Sequence, residues 1–195
     1  MRSPRIVLVG LTALFTLSGC ATTVAISPTS LSAPPVREAQ VSATFTTEPG
    51  TAITYDPKLV PAGARGAVQA RSGDGSTTFM LAVRDLQPNR VYGAHVHTNP
   101  CGASPDDAGP HFQREVDPAG PGVDPQHTNP ENEIWLDFTT DATGAGSAET
   151  TVAWELPDDR RLPGSVVIHA TGTNTGPGVA GTAGARVACV TIKFD

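Results

Sequence analysis

The sequence predicts an all-β domain, an antiparallel sandwich or barrel of eight strands. Three observations lead there. Apolar and β-branched residues occur in short runs, and turn signals separate the runs. Glycine and proline are frequent, 20 and 18 of 195 residues, which suits a chain that reverses direction often. Long apolar stretches at helical spacing are absent.

In chain order the strands are expected at Val41–Thr47, Ala67–Ser72, Thr77–Leu86, Arg90–Thr98, Glu133–Asp141, Ser147–Leu156, Ser165–Thr171 and Arg186–Phe194. The turns between them are chemically specified. Gly73-Asp74-Gly75, Pro88-Asn89, Thr143-Gly144 and Pro163-Gly164 supply either a positive φ or a fixed one. Two connections are long, residues 99–130 and 172–185, and both are rich in Gly and Pro. Loops of that length in a compact domain are functional or disordered. Trp135, Trp154, Phe79 and Phe138 fall in strand segments, where packing in the core or across strands is expected.

The chain opens with a targeting signal. Arg2 and Arg5 precede an apolar run, Ile6 to Leu17, too short to span a bilayer. It ends in Leu17-Ser18-Gly19-Cys20, which resembles the bacterial lipobox. A plain signal peptide would also place small residues here but would not want a cysteine. The expected organisation is a signal peptide at 1–19, a lipidated Cys20 with a flexible Ser/Thr/Ala/Pro-rich tether over 20–40, and the β-domain at 41–195. The protein is then extracytoplasmic and held at a membrane through lipid on Cys20. With Cys20 lipidated, Cys101 and Cys189 are left as an even pair in an oxidising compartment, as a disulfide or as two free buried thiols.

The formal charge is −6. Without residues 1–19, which carry two arginines and no acid, eleven basic residues stand against nineteen acids, a formal −8. This excludes nucleic acid as a partner, since that needs a basic face. The sandwich offers several faces for pairing, and the sequence specifies no oligomeric state.

Five histidines carry the functional argument: His95, His97, His111, His127 and His169. His95 and His97 sit two apart near a strand end, so both imidazoles project from one face and make a ready pair of metal ligands. Two polar residues at a wet strand end would look the same. His111 lies in the first long loop, in Gly109-Pro110-His111-Phe112. His169 closes the apolar run Val166-Val167-Ile168, where a histidine hydrogen-bonded in the core is the plainer reading.

Taken together, Gly93-Ala94-His95-Val96-His97, Cys101, Gly109-Pro110-His111-Phe112, Ile168-His169 and Gly184-Ala185-Arg186-Val187-Ala188-Cys189, in this order, resemble the copper/zinc superoxide dismutase family from about Pro61 to the C-terminus. The resemblance implies an eight-stranded Greek-key sandwich, an architecture this enzyme shares with many cell-surface domains. It implies copper on His95, His97, His111 and His169, with Arg186 drawing in superoxide and Cys101 bonded to Cys189. It also implies that His111 leaves copper on reduction and takes up a proton. Imidazoles suit copper, which cycles between two oxidation states, whereas zinc has no redox chemistry.

The zinc half of the family's site departs from the pattern. His127 is the only histidine left in the expected stretch, and Pro130 stands three residues on. Glu131 and Glu133 fall near the missing ligands, and Thr173 replaces the aspartate that links the two metals in the family. His111, His127 and one glutamate would still be one ligand short of four. The departures resemble the copper-only branch, in which a glutamate bonds the bridging histidine in place of zinc. Copper without zinc is therefore expected, with Glu133 as first choice for that glutamate and Glu131 as second. Otherwise Glu131-Asn132-Glu133 is a solvated strand start. Residues 172–185 carry no charge, so Arg186 must act locally against an acidic chain, and turnover should depend weakly on salt.

The expected function is copper-dependent dismutation of superoxide to oxygen and hydrogen peroxide. The alternatives are a copper-buffering lipoprotein with little turnover, and a sandwich whose site has decayed. Four retained histidines speak against decay, and a copper carrier has no need of Arg186.

Overall fold

Residues 36–157 and 161–195 are described by a computed structural model. The signal segment, Cys20 and all but the last residues of the expected tether lie outside the described residues. Among the described residues nine strands form: β1 Arg37–Thr44, β2 Ala52–Thr54, β3 Arg65–Gly73, β4 Ser76–Arg84, β5 Val91–His97, β6 Phe138–Thr139, β7 Gly146–Val152, β8 Ser165–His169 and β9 Arg186–Thr191. They build two sheets, ordered β1-β3-β4-β7 and β2-β9-β8-β5-β6, with every neighbouring pair antiparallel. The β4–β5, β6–β7 and β7–β8 connections pass from one sheet to the other, as in a Greek-key sandwich.

The alternation of each strand explains the layers. In β4, Thr77, Phe79, Leu81 and Val83 are buried, while Met80, Ala82 and Arg84 face out. In β5, Tyr92, Ala94 and Val96 turn into the same core, joined there by Phe45, Ile134 and Leu136. The strand β8 is buried on both faces, which is why it reads as the unbroken apolar run Val166-Val167-Ile168. Val166 and Ile168 enter the main core, whereas Val167 packs outside the sheet with Ile53, Ala108 and Cys189. The outer face of the five-stranded sheet is therefore covered, at Val167 by the first long loop through Ala108.

Several elements differ from the sequence expectation. The first strand opens at Arg37, four residues before Val41, because its backbone continues to pair with β3 as far as Ser72 and the Arg37 guanidinium donates to the Leu156 and Pro157 carbonyls. The strand β2 has three residues, too few for a periodic signal. Expected strand Glu133–Asp141 is mostly a loop that touches its neighbours through single bridges, Gln113↔Glu133 and His95↔Trp135, and pairs regularly only at Phe138–Thr139. A 3₁₀ turn at Pro105–Ala108 interrupts the first long loop, capped by Ser104 and Asp107.

That loop is pinned at its root. Cys101 and Cys189 form a disulfide with Cα atoms 5.7 Å apart, closing 88 residues of chain onto β9. Ser165 Oγ donates to the Asn99 carbonyl at 2.7 Å, and Cys101 N–H donates to Thr191 Oγ1 at 3.1 Å. Cross-linking a loop this long restricts the unfolded chain strongly. The double variant Cys101→Ser, Cys189→Ser is expected to lose about 2–5 kcal/mol of unfolding free energy in urea titration, with the drop mirrored by reduction of the unaltered protein.

Candidate metal centre

The strand β5 places His95 and His97 on its outer face, and antiparallel pairing with β8 sets Gly93 opposite His169. A register shift between Ile168 and His169 puts Arg186 opposite His169 on β9. Gly93 has to be glycine here. A Cβ at that position would lie 2.6 Å from the Ala183 Cβ and 2.7 Å from the Thr171 carbonyl, so the absence of a side chain lets the second long loop lie directly on β5. His111 arrives from the first long loop through a single bridge to His97. The four imidazoles then converge. The His111 ring lies 4.2 Å from His95 and 4.8 Å from His97, His169 lies 4.7 Å from His95, and one nitrogen from each of the four falls within 4.8 Å of the others.

The outward nitrogen of each ring has a partner that fixes its tautomer. His97 Nδ1–H donates to the Gly109 carbonyl at 2.9 Å, and His169 Nδ1–H to the Gly184 carbonyl at 3.4 Å. His111 Nδ1–H donates to Glu133 Oε2 at 2.7 Å. His95 uses its other nitrogen. Asp137 accepts from both the Thr173 N–H and the Thr173 hydroxyl, each at 2.7 Å, so the Thr173 oxygen is left to accept from His95 Nε2–H at 2.7 Å. Each ring is thereby left with a bare lone pair on its inward nitrogen. Three of those atoms, His95 Nδ1, His97 Nε2 and His169 Nε2, are fully buried and have no hydrogen-bond partner. Leaving a buried polar atom unpaired costs about 1–3 kcal/mol, so three in one spot mark a place for a ligand that accepts electron pairs. An all-imidazole set of this kind fits copper.

Burial favours the neutral form of three of the rings. Desolvation, helped by the neighbouring imidazoles, holds His95 and His97 well below the ordinary histidine pKa. Desolvation also lowers His169, to about 4, against the opposing pull of the Gly184 carbonyl. The Arg186 guanidinium adds to the lowering in all three. Arg186 itself is 22% exposed, donates to the Pro105 carbonyl at 2.9 Å and stands 4.0 Å from Asp106.

Glu133 is the glutamate at His111. It is 1% exposed, and its carboxylate accepts from His111, from Trp135 Nε1 at 2.8 Å and from Gln113 Nε2 at 2.9 Å. Glu131 is exposed and contributes its carbonyl, which accepts from Trp154 Nε1 at 2.8 Å. His127 is not among the four converging rings. Its Nδ1 lies 3.9 Å from both Asp117 and Asp124, within the first long loop. Phe79, Phe138 and Trp154 pack in the core as expected, but Trp135 also belongs to the site, 5.7 Å from His95 and bonded to Glu133. Sequence reasoning missed Asp137, Gln113 and this second role of Trp135. The only signal was Thr173, read as a lost aspartate. Its hydroxyl in fact reaches His95 and is backed by Asp137.

A Greek-key sandwich with four imidazoles aimed at one point beside a guanidinium defines a class of protein with a cluster that could hold a metal ion. The family model for copper/zinc superoxide dismutase (SODC) matches residues 64–192, and the chain belongs to that family: it is a superoxide dismutase, an oxidoreductase. Among solved structures, the chain is similar to the Cu/Zn superoxide dismutase from Brucella abortus, with 22% identity and a TM-score of 0.49, covering 79% of this chain and 99% of that one. No curated protein matches it.

Two outcomes are expected from this geometry. A histidine whose folded pKa lies below its unfolded value charges more readily when unfolded, so its contribution is intact above the ordinary pKa of 6.5 and is lost as pH falls toward the folded value. Metal-free protein should therefore lose about 3 kcal/mol from His169 alone between pH 6.5 and 4, read by denaturant titration across that window. Glu133→Gln sets an amide N–H₂ against at least one of the three donors. It should destabilise the metal-free fold by about 1–3 kcal/mol and shift the His111 ring ¹⁵N resonances, which a distant surface change would leave in place.

Proposed function

We propose that the chain is an extracytoplasmic, lipid-anchored superoxide dismutase that uses copper without zinc. The observation that carries this reading is the commitment of His111 Nδ1 to Glu133. In a two-metal site that nitrogen would have to face zinc. Here it is occupied by a buried carboxylate that Trp135 and Gln113 hold in place, while His127 lies with Asp117 and Asp124. The second-nitrogen partner that orients a metal-bound imidazole is thus supplied by protein.

In this reading His95, His97, His111 and His169 hold copper, which supplies one-electron oxidation and reduction. The chain's own residues do the rest. Arg186 places a positive charge and N–H donors at the mouth, where a small anion must enter. Buried His95, His97 and His169 stay neutral and keep their lone pairs inward. His111 is the least enclosed of the four, 17% exposed at its side chain, and its Nε2 is where a proton can be taken up and passed on while Nδ1 stays with Glu133. The oxidising compartment is supported by the Cys101–Cys189 disulfide, and the membrane anchor by the lipobox-like Leu17-Ser18-Gly19-Cys20.

The test is direct. Mature protein loaded with copper, with and without zinc, is expected to retain one copper, no zinc, and a rate of superoxide decay that zinc leaves unchanged. Arg186→Ala should keep its copper and its paramagnetic resonance spectrum but lose activity about tenfold to a hundredfold. Equal rates in that variant would leave copper buffering as the function.

A further inference from the structure

Two of the converging histidines, His111 and His169, line a cavity of about 920 Å³, a volume that accommodates an organic molecule rather than a diatomic ion. Its walls come from the two long loops and are mostly carbon, with Pro110, Phe112, Val116, Pro121, Val123 and Ala183 among them. Val116 is 60% exposed and Val123 37%, and Val179, next to the wall residue Ala180, is 45% exposed. These are three of the six large apolar side chains exposed among the described residues. Apolar side chains scattered singly over a surface need no explanation, but two of them lining one opening do. Superoxide is small and strongly hydrated, so carbon walls do nothing for its binding.

The polar groups in the cavity are few and of opposite kinds. Arg186 lines it beside His111 and His169, and Arg161 lines it too, donating to the Gln113 carbonyl at 3.4 Å. Of the two acids, Glu133 is taken up by three donors, and the Asp106 side chain is 95% exposed to water, which screens it. The cavity is thus an apolar recess with the Arg186 guanidinium at its wall, in a chain of formal charge −6. From this we propose that it is a binding site for a carboxylate carried on a rigid apolar ring system, with the carboxylate on Arg186 and the rings against Val116, Val123 and the two prolines. A carboxylate matches the planar fork of a guanidinium, and a rigid body loses little freedom in a cavity that is already formed. The site goes beyond dismutation and requires no metal. Its occupant would cover the mouth that superoxide uses.

The probe is 2-naphthoate, titrated calorimetrically into metal-free mature protein at fixed ionic strength, with acetate and uncharged 2-naphthalenemethanol as controls. Naphthoate is expected to bind at least about tenfold more tightly than either control, since each control can make only one of the two contacts. Val116→Ser with Val123→Ser should weaken naphthoate about fivefold and leave acetate unchanged, and Arg186→Gln should weaken both anions. The copper-loaded valine variant should keep the unaltered rate of superoxide decay, which shows that its fold and metal centre are intact. Should it misfold by near-ultraviolet circular dichroism, Val116→Thr, nearly isosteric and at the more exposed position, repeats the measurement. Naphthoate binding no tighter than acetate, or unmoved by the valine changes, overturns the proposal. Dismutase activity in the unaltered protein is read separately and stands or falls without it.

Discussion

Four imidazole lone pairs aimed at one point, with no hydrogen donor of the protein among them, are the constraint around which this domain is organised. Such an arrangement is unfavourable on its own. It brings like dipoles together and leaves buried acceptors unpaired, so it survives only if the surroundings leave the rings no other orientation. The surroundings do this by engaging the far nitrogen of every ring. Two of the four partners are backbone carbonyls, Gly109 from the first long loop and Gly184 from the second, and the other two are the side chains of Glu133 and Thr173. Each long loop therefore serves the centre with main chain as well as with side chain.

This explains why the loops are fastened so heavily. The first carries His111 and the Gly109 carbonyl, and it is held by the disulfide, by Ser165, by the bridge to His97 and by the Arg186–Pro105 hydrogen bond. The second carries Thr173 and the Gly184 carbonyl. It rests on β5 because Gly93 has no side chain, and Asp137 fastens it through the Thr173 amide and hydroxyl. Arg186, beside the converging histidines, thus also braces the loop that frames the entrance.

The acids near the centre show how the histidine cluster is supported from one irregular stretch of chain. Glu133 and Asp137 both come from the irregular stretch before β6, and each works through a hydrogen bond to a ring or to a group that holds one. Trp135, between them in sequence, donates to Glu133 and lies against His95. A regular strand would carry all three side chains on one face in a straight row. The single bridges at Glu133 and Trp135, in place of a continuous ladder, allow the stretch to bend and wrap them around the histidines.

Much of this was legible beforehand in residue type and spacing. The two-residue interval of His95 and His97 and the alternation in β3, β4 and β7 depend on local geometry that a strand imposes wherever it lies, and the order of the blocks through Arg186 and Cys189 carried the family resemblance. The sequence by itself determined the strand-and-turn pattern of the sandwich, and its resemblance to the family implied the four converging histidines and Glu133 ahead of Glu131. Only the tertiary structure decided that Thr173 substitutes for an aspartate with help from Asp137, that Gln113 and Trp135 hold Glu133, that β1 starts at Arg37 and that His127 faces Asp117 and Asp124. The reason is physical. The contact between Thr173 and Asp137 joins residues 36 positions apart, and the others also run through loops with no periodicity. Their side-chain directions are set by packing against distant segments and leave no pattern along the chain.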